Sequence, residues 1–378
     1  MPLYAAIRFS KVRKKLYVII GFCGSCIAFY IGAGFATMQE VMQYEASYGS
    51  LFMVVILVAA AIYVYTNLSF TSNGSERHIE KGSDIFTLYC GKYIGTFYKY
   101  FTSFFCYMCF IVMCGGANST ATQQWGLPNG VGAVVLTVVV VATAVFGLDG
   151  IVNALGKIGP VIIVCLLGVS IATAITGLPN FSANLQAVDA GKYDLVQVGG
   201  GNPFASGASY GGFVILWFST FLAEMGAKND EHEVNKGVLL STIFIFATAA
   251  ICCVALISHI DITAYADIPT LMLANTINPA FAQVLSIIIF CGIYTTAVPL
   301  LWSGVSAISR EGTPRYKLLI VVGGVIGCVV ACFLPYKGLV NVLYGLNGYL
   351  GFILIAFMIV YDIRRRISRK GQADKVEA

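Results

Sequence analysis

Residues 31–40 read IGAGFATMQE, and they lie inside the first long apolar segment, about 16–47. Gly32 and Gly34 each weaken a helix by roughly 1 kcal/mol relative to alanine. Glu40 follows about two turns later, at a depth where ionisable groups are costly and usually functional. Loosened backbone survives in lipid only where it is buried in protein or lines a polar cavity. The stretch therefore predicts a transmembrane helix broken at a small-solute site, with a glycine-rich contact between two helices as the alternative.

The composition is that of a polytopic membrane protein. Of the 378 residues, 58% are hydrophobic and 11% are charged, and the mean hydropathy is +0.82. Apolar runs exceed the roughly 20 residues that a helix needs to cross a bilayer. The first run is too long for a signal peptide and lacks a small-residue cleavage end, so we expect it to remain in the mature protein.

Hydropathy predicts ten spanning segments in one transmembrane domain. Their approximate bounds are 16–47, 50–70, 97–118, 131–147, 152–177, 207–226, 238–258, 280–308, 317–334 and 339–361. This order places 21 of the 23 Lys and Arg residues on one side and only Lys192 and Lys337 on the other. Because cytoplasmic loops are enriched in Lys and Arg, both termini are expected in the cytoplasm of a plasma-membrane protein.

The longest external connection, about 178–206, separates two sets of five segments. The first set covers about 16–177 and the second about 207–361, and a basic cytoplasmic tail, 362–378, follows. Two halves with an odd number of spans must be inverted relative to each other in the membrane. We therefore expect the five-plus-five inverted repeat of many secondary transporters.

The predicted break in the first segment can bind solutes in two ways. The half-helix after the break presents free N–H groups to a substrate carboxylate, and the carbonyls before it can coordinate a cation. Thr37, Glu40, Tyr44 and Ser47 recur at three- and four-residue spacing and form one polar stripe. Glu40 could meet an ammonium group, carry a proton, or only hydrogen-bond a neighbouring helix.

Two further sites could couple solute movement to an ion. Thr295 and Thr296 are adjacent hydroxyls inside the eighth segment, and hard cations such as sodium take oxygen ligands. Threonine in apolar helices also commonly bonds its own i−4 carbonyl. Lys157, at the start of the fifth segment, either reaches the interface or points inward, where its ammonium could replace a sodium ion.

Twelve cysteines lie mostly within apolar segments. Two Cys-x-x-Cys pairs, Cys23/Cys26 and Cys106/Cys109, could together hold a soft metal. Packing as small buried hydrophobes is the favoured interpretation, because no histidine accompanies the pairs. We expect no cofactor, with Na⁺ as a possible coupling ion.

Several motifs extend a family resemblance over the whole chain. Residues 31–40 resemble the first-helix signature of the YkvI-like membrane proteins. These are bacterial relatives within the amino acid–polyamine–organocation superfamily, which includes the LeuT-type transporters. Three further stretches are similar to that family: residues 115–118 followed by 126–128, residues 294–298, and residues 348–351. The resemblance implies an all-α LeuT-type fold with discontinuous first and sixth helices, alternating access and a central solute site.

Carried over by position, the resemblance implies a sodium site formed by carbonyls of Ala28, Ile31 and Gly292 and by hydroxyls of Thr295 and Thr296. It implies a substrate site at Phe29, Tyr30 and Gly34 with side chains of segments three and six, for which we select Tyr107, Met108, Trp217, Ser219 and Thr220. Gly32, Thr37 and Glu40 complete the predicted substrate site. Segment six lacks a glycine or proline at its middle. Lys157 resembles the fifth-helix lysine by which some members dispense with sodium, so sodium coupling, proton coupling and exchange all stay open.

The predicted function is secondary active transport of a small amino acid, amine or related solute, as a symporter driven by sodium or protons. An enzyme is not expected, since three histidines form no nucleophile–base or metal motif. An ion channel would need a charged ring or a filter-like repeat, and neither is visible in the sequence. A transport-inactive sensor or scaffold of the same fold is the remaining alternative. The net charge of +5 reflects membrane topology, and we expect a lipid bilayer and no nucleic acid as partner.

Overall fold

The computed structural model describes residues 2–79, 81–145 and 158–376, and this part of the chain contains helices and no β-strand. The helices are α1 Pro2–Tyr30, α2 Ala33–Ala36, α3 Gln39–Tyr44, α4 Phe52–Arg77, α5 Asp84–Trp125, α6 Val131–Val145, α7 Ile158–Asp189, α8 Pro203–Lys228, α9 Glu231–Ser258, α10 Ile260–Thr263, α11 Pro269–Ile277, α12 Pro279–Ser306, α13 Pro314–Phe333, α14 Tyr336–Leu339 and α15 Gly345–Val376. A 3₁₀ turn covers Ala46–Leu51 and a π-helical turn covers Val340–Tyr344.

By length and hydropathy, seven described helical segments could cross a membrane: Ala46–Arg77, Asp84–Trp125, Val161–Asp189, Glu231–Ser258, Pro279–Ser306, Pro314–Phe333 and Tyr336–Ile367. The helix α8 makes eight if its halves, Pro203–Leu216 and Phe218–Lys228, count as one span; they are bent by 53° to each other. Two shorter apolar helices, Lys15–Tyr30 and Val131–Val145, overlap the remaining predicted segments. The chain is a multi-pass membrane protein, and the count of ten crossings stays a prediction.

Local sequence signals explain where several helices begin. Asn202 and Asn278 each stand before a proline, and each side chain accepts hydrogen bonds from the first free N–H groups of its helix. Thr313 caps α13 in the same way, again before a proline. Capping side chains satisfy N–H groups that have no partner within the helix, and proline fits the first helical position because it lacks an N–H.

The first predicted segment consists of three helices in the structure. Residues 31 and 32 lie outside helix between α1 and α2, and residues 37 and 38 lie outside helix between α2 and α3. Met38 adopts a left-handed conformation with φ 59°, which is uncommon for a residue other than glycine. The hydroxyl of Thr37 donates to the carbonyl of Gly34 over 2.7 Å. The chain therefore leaves helical geometry twice within eight residues.

Close main-chain packing joins α8 to its two neighbours. A Cβ added to Gly74 of α4 would overlap the carbonyl of Ala223 in α8. Nearer the start of α8, a Cβ added to Gly351 of α15 would overlap the carbonyl of Gly212. Small residues favour helix association in lipid because they let main chains approach closely. These contacts place α8 between α4 and α15.

Polar connections gather at two ends of the helix bundle. At the predicted external end, the side-chain amide of Gln43 donates to the carbonyl of Lys337 over 3.0 Å. At the other end, Asp362 accepts hydrogen bonds from Tyr65 over 3.1 Å and from Ser69 over 2.8 Å. Which of these ends faces the cytoplasm stays a prediction.

Candidate solute-binding site

A cavity of about 400 Å³, measured to the atom surfaces and including its open mouth, lies against the interruption between α1 and α2. We call it the central cavity. Its walls come from the first segment, α5, α8, α12 and the π-helical turn: Phe29, Tyr30, Gly32, Gly34, Glu40, Met113, Tyr210, Phe213, Val214, Phe218, Thr296 and Tyr344. Residues that are far apart in the sequence therefore meet where the first segment leaves helical geometry.

Aromatic residues supply six of the twelve residues of the cavity wall. The ring of Tyr30 lies 6.0 Å from that of Tyr210 and 6.2 Å from that of Phe218. Phe213 stacks on Tyr344 with ring centroids 4.5 Å apart. Such rings offer apolar contact and a negative face to which cations are attracted. The wall therefore suits a solute with an apolar or positively charged body.

Glu40 places its carboxylate in this wall. The residue is 6% exposed, and a Cβ added to Gly34 would overlap Glu40 Oε1. Among the described residues, no Lys, Arg or His nitrogen lies within 4.0 Å of this carboxylate. The hydroxyl of Tyr210 lies near it but outside hydrogen-bond geometry. A buried carboxylate without a counter-charge is costly, so Glu40 is suited to receive a cation or a proton.

Thr37 lies beside the cavity and does not line it. Its side chain is fully buried, and its hydroxyl lies 3.1 Å from that of Tyr336 at the start of α14. The same hydroxyl donates to the carbonyl of Gly34. In the structure Thr37 therefore joins the interruption to the last membrane segment.

The residues predicted to bind sodium are only partly assembled around the cavity. The hydroxyls of Thr295 and Thr296 both donate to the carbonyl of Gly292, over 2.8 and 3.0 Å, and Thr296 also lines the cavity. Ile31 is buried and Ala28 is exposed. The hydroxyl oxygens keep lone pairs that a cation could use. Lys157 lies outside the described residues.

Four of the residues selected on segments three and six, Tyr107, Met108, Ser219 and Thr220, lie outside the described cavity wall. The hydroxyl of Tyr107 donates to the carbonyl of Gly323 in α13 over 2.9 Å, and Met108 is buried elsewhere in the core. Ser219 donates to a carbonyl of its own helix. The main-chain carbonyl of Thr220 lies against the connection at Gly82. Trp217 falls at the bend of α8, and its side chain is outside the described part of the structure.

Sequence reasoning missed two tyrosines of the cavity wall and one buried acid of the first segment that lies outside that wall. Tyr210 and Tyr344 each precede a glycine in an apolar segment, which is a signal that could have selected them. Glu45 is a second acid in the first segment, and it is fully buried. The thiol of Cys253 lies 3.6 Å from Glu45 Oε2, and Glu45 Oε1 has no hydrogen-bond partner.

The cysteine pairs gain no support as a metal site. Cys23, Cys26 and Cys109 are buried free thiols, and Cys106 is half-buried. Within residues 2–79, 81–145 and 158–376, no group of three or more His, Cys, Asp or Glu side chains could hold a metal ion. Packing of these thiols as small buried hydrophobes stays the prediction for both pairs.

Neither a protein-family model nor a curated protein matches the sequence, so membership of the YkvI-like family stays a prediction. Solved structures resemble the chain in fold. MhsT, crystallised in complex with L-phenylalanine, is 14% identical, with 90% of this chain and 88% of that chain covered and a TM-score of 0.61. A variant of the manganese transporter of Eremococcus coleocola is 16% identical, with 91% and 78% covered and a TM-score of 0.51. The chain therefore has the LeuT-type fold that these proteins share.

Proposed function

We propose that this protein is a secondary active transporter of a small organic solute, an amino acid or a related compound, which binds in the central cavity. The observation that carries the proposal is the position of this cavity. It lies at the interruption of the first segment and contains a buried carboxylate without a basic partner among the described residues. The shared fold supports the proposal, since one of the similar structures is a transporter by name.

The interruption is suited to alternating access. Non-helical residues on both sides of α2 can absorb a change in direction more easily than a continuous helix, because hinge motion is concentrated in a few residues at element ends. In our proposal the solute docks against residues 29–34, and one set of helices rocks against the other to expose it in turn to each side. In this proposal the first and sixth helices are the two discontinuous helices. The interruption lies beside α2 in the first helix, and the bend of α8 is the corresponding discontinuity in the sixth.

Coupling to sodium or to protons is part of the proposal. Sodium would use the hydroxyls of Thr295 and Thr296 with carbonyls of Ala28, Ile31 and Gly292. A proton would use Glu40, and an inward-pointing Lys157 would take the place of sodium. The two forms of coupling differ in one measurable way, which is whether uptake responds to a sodium gradient at constant pH.

Thermal stabilisation followed by uptake tests the proposal. Purified protein is screened against amino acids, amines and polyamines, with and without sodium, because a ligand at 100 times its Kd stabilises the folded state by about 2.7 kcal/mol. Compounds that stabilise are then offered to proteoliposomes under a sodium or proton gradient. Accumulation driven by a gradient is the expected result. Stabilisation without uptake would show a sensor, and uptake that no gradient can drive uphill would show a channel or an exchanger.

A further inference from the structure

We propose that the transported solute is an organic cation without a carboxylate, and that Glu40 holds its ammonium group. This inference rests on the proposed function and names the substrate class of the same site. It separates amines from amino acids, which the fold alone does not separate. Three observations on the central cavity carry it.

The first observation is that the protein's own carboxylate lies on the main chain at the interruption. Glu40 Oε1 lies so close to Gly34 that no side chain would fit between them. The left-handed Met38 lies between these residues, so α3 need not continue in the direction of α2. A solute carboxylate docked at the same main chain would lie beside that of Glu40, so the two could not both be ionised there without strong repulsion, whereas an ammonium group would pair with the ionised form.

The second observation is the charge of the wall. Of the twelve residues around the cavity, Glu40 is acidic and none is Lys, Arg or His. An amino acid brings a carboxylate as well as an ammonium, and the described wall offers that carboxylate no cationic partner. An amine brings only a positive charge, which is the counter-charge that the Glu40 carboxylate lacks. Burying a charge is tolerated when it is paired, so the pairing favours the amine.

The third observation is the ring arrangement near Glu40. Tyr30, Tyr210, Phe213, Phe218 and Tyr344 all line the same cavity. Aromatic faces attract ammonium groups, and the attraction is strongest in desolvated sites. They also cover the apolar body of a small amine. Carboxylate and rings together form the kind of site that recognises cations.

Matched pairs of compounds test the inference on the full-length protein. Each pair contains an amino acid and the amine that results when its carboxylate is removed: leucine and isoamylamine, phenylalanine and phenethylamine, ornithine and putrescine. Affinities are measured by calorimetry at constant pH and salt. We expect the amine of at least one pair to bind at least tenfold more tightly than its amino acid. This comparison uses the unmodified chain, so it does not depend on any variant folding.

Three variants test whether the preference depends on Glu40. Glu40→Gln keeps the shape of the side chain and is expected to weaken amine binding at least tenfold. Glu45→Gln removes a buried carboxyl from the same segment outside the cavity wall, and it should leave the preference unchanged. Gly34→Ala displaces the Glu40 carboxylate without changing its charge, and it should also weaken amine binding.

The possible outcomes separate this inference from the proposed function. An amine preference that is lost in Glu40→Gln and kept in Glu45→Gln supports the inference. If amino acids bind as tightly as their amines or more tightly, the inference is wrong and the proposed function stands. If the preference survives Glu40→Gln, the assignment to Glu40 is wrong and the inference falls with it. If folded protein binds no member of any pair, the inference is overturned, and the wider screen of amino acids, amines and polyamines decides the proposed function.

Discussion

The hydroxyl of Thr270 donates a hydrogen bond of 2.7 Å to the main-chain carbonyl of Ala36. The main-chain N–H of Thr270 also donates to the carbonyl of Thr37 over 3.2 Å. Both carbonyls lie at the end of α2, where helical geometry stops. Because buried carbonyls in a membrane protein need partners, the helix α11, which lies between the seventh and eighth predicted segments, stabilises the interrupted first segment.

Replacing Thr270 by valine tests this contact. Valine keeps the shape of threonine and removes the hydroxyl, which leaves the buried carbonyl of Ala36 without that donor. We expect Thr270→Val to lower the free energy of unfolding by about 1 to 3 kcal/mol, measured by chemical denaturation in detergent. Thr276 of the same helix is the matched control, since its hydroxyl bonds the carbonyl of Leu273 one turn back. Equal losses in Thr270→Val and Thr276→Val would contradict the assignment.

Glu40→Gln is expected to abolish or strongly weaken uptake while the yield of folded protein changes little. The amide occupies nearly the same space as the carboxylate but can neither carry a net charge nor release a proton. Uptake into proteoliposomes and the size-exclusion profile of the purified protein are the two measurements. Uptake at the unmodified level would remove Glu40 from the mechanism.

Replacing both Thr295 and Thr296 by alanine tests sodium coupling. Both hydroxyls bond the carbonyl of Gly292 in their own helix, so their removal breaks no bond between helices. We expect folding to persist and the sodium dependence of uptake to fall, measured as initial rate against sodium concentration. If the unmodified protein shows no sodium dependence, Lys157→Ala becomes the decisive change, and its uptake should fall instead.

The network around Asp362 is expected to stabilise the predicted cytoplasmic end. Asp362 accepts from Tyr65 and Ser69, and the hydroxyl of Ser69 lies 2.8 Å from that of Tyr89. Asp362→Asn removes the charge that strengthens these bonds, so we expect a loss of about 1 to 3 kcal/mol in unfolding free energy. Asp194→Asn, at an exposed position, should change it by no more than about 0.5 kcal/mol. A thermal-unfolding comparison of the two variants measures the difference.

Gly351→Ala tests the main-chain contact between α8 and α15. The added methyl group would overlap the carbonyl of Gly212, and overpacking costs about 1 to 3 kcal/mol. Gly24→Ala is the control, because a Cβ at Gly24 meets nothing within 4 Å and alanine favours helix. The first variant should unfold at a lower temperature than the unmodified protein, and the second at the same temperature or above.

Hydropathy located the apolar segments well because lipid burial demands long apolar runs. It could not locate where helices extend into polar sequence. Hydropathy predicts the third segment at about 97–118, whereas α5 runs from Asp84 to Trp125 and leaves helical geometry at Gly91. The sixth segment has no glycine or proline at its middle, yet α8 bends between Leu216 and Phe218. Packing among helices decides such a bend, and a local pattern does not record it.

The cavity wall was predictable where one local pattern carried it. Phe29, Tyr30, Gly32, Gly34 and Glu40 all lie in the first segment near an obvious pair of glycines, and all five line the cavity. The wall residues of α5 and α8 depend on depth and rotation, which a helical pattern leaves open. Aromatic residues are common along these helices, so an aromatic residue such as Tyr107 is no better a candidate than its neighbours. The sequence therefore gives no reason to select Met113, which lines the cavity, over Tyr107, which does not.

The glycine contact between α4 and α8 has a mechanical consequence. No bulky side chain separates Gly74 from Ala223. The two main chains are therefore in direct contact, and no side chain between them can rearrange to absorb a movement. A displacement of α8 at this contact therefore moves α4 with it. The first half of α8 carries Tyr210 into the solute cavity and also meets α4 closely, since a Cβ added to Gly207 would overlap the carbonyl of Val55. A Tyr210 ring displaced by an arriving solute would therefore move this half of α8 and α4 together.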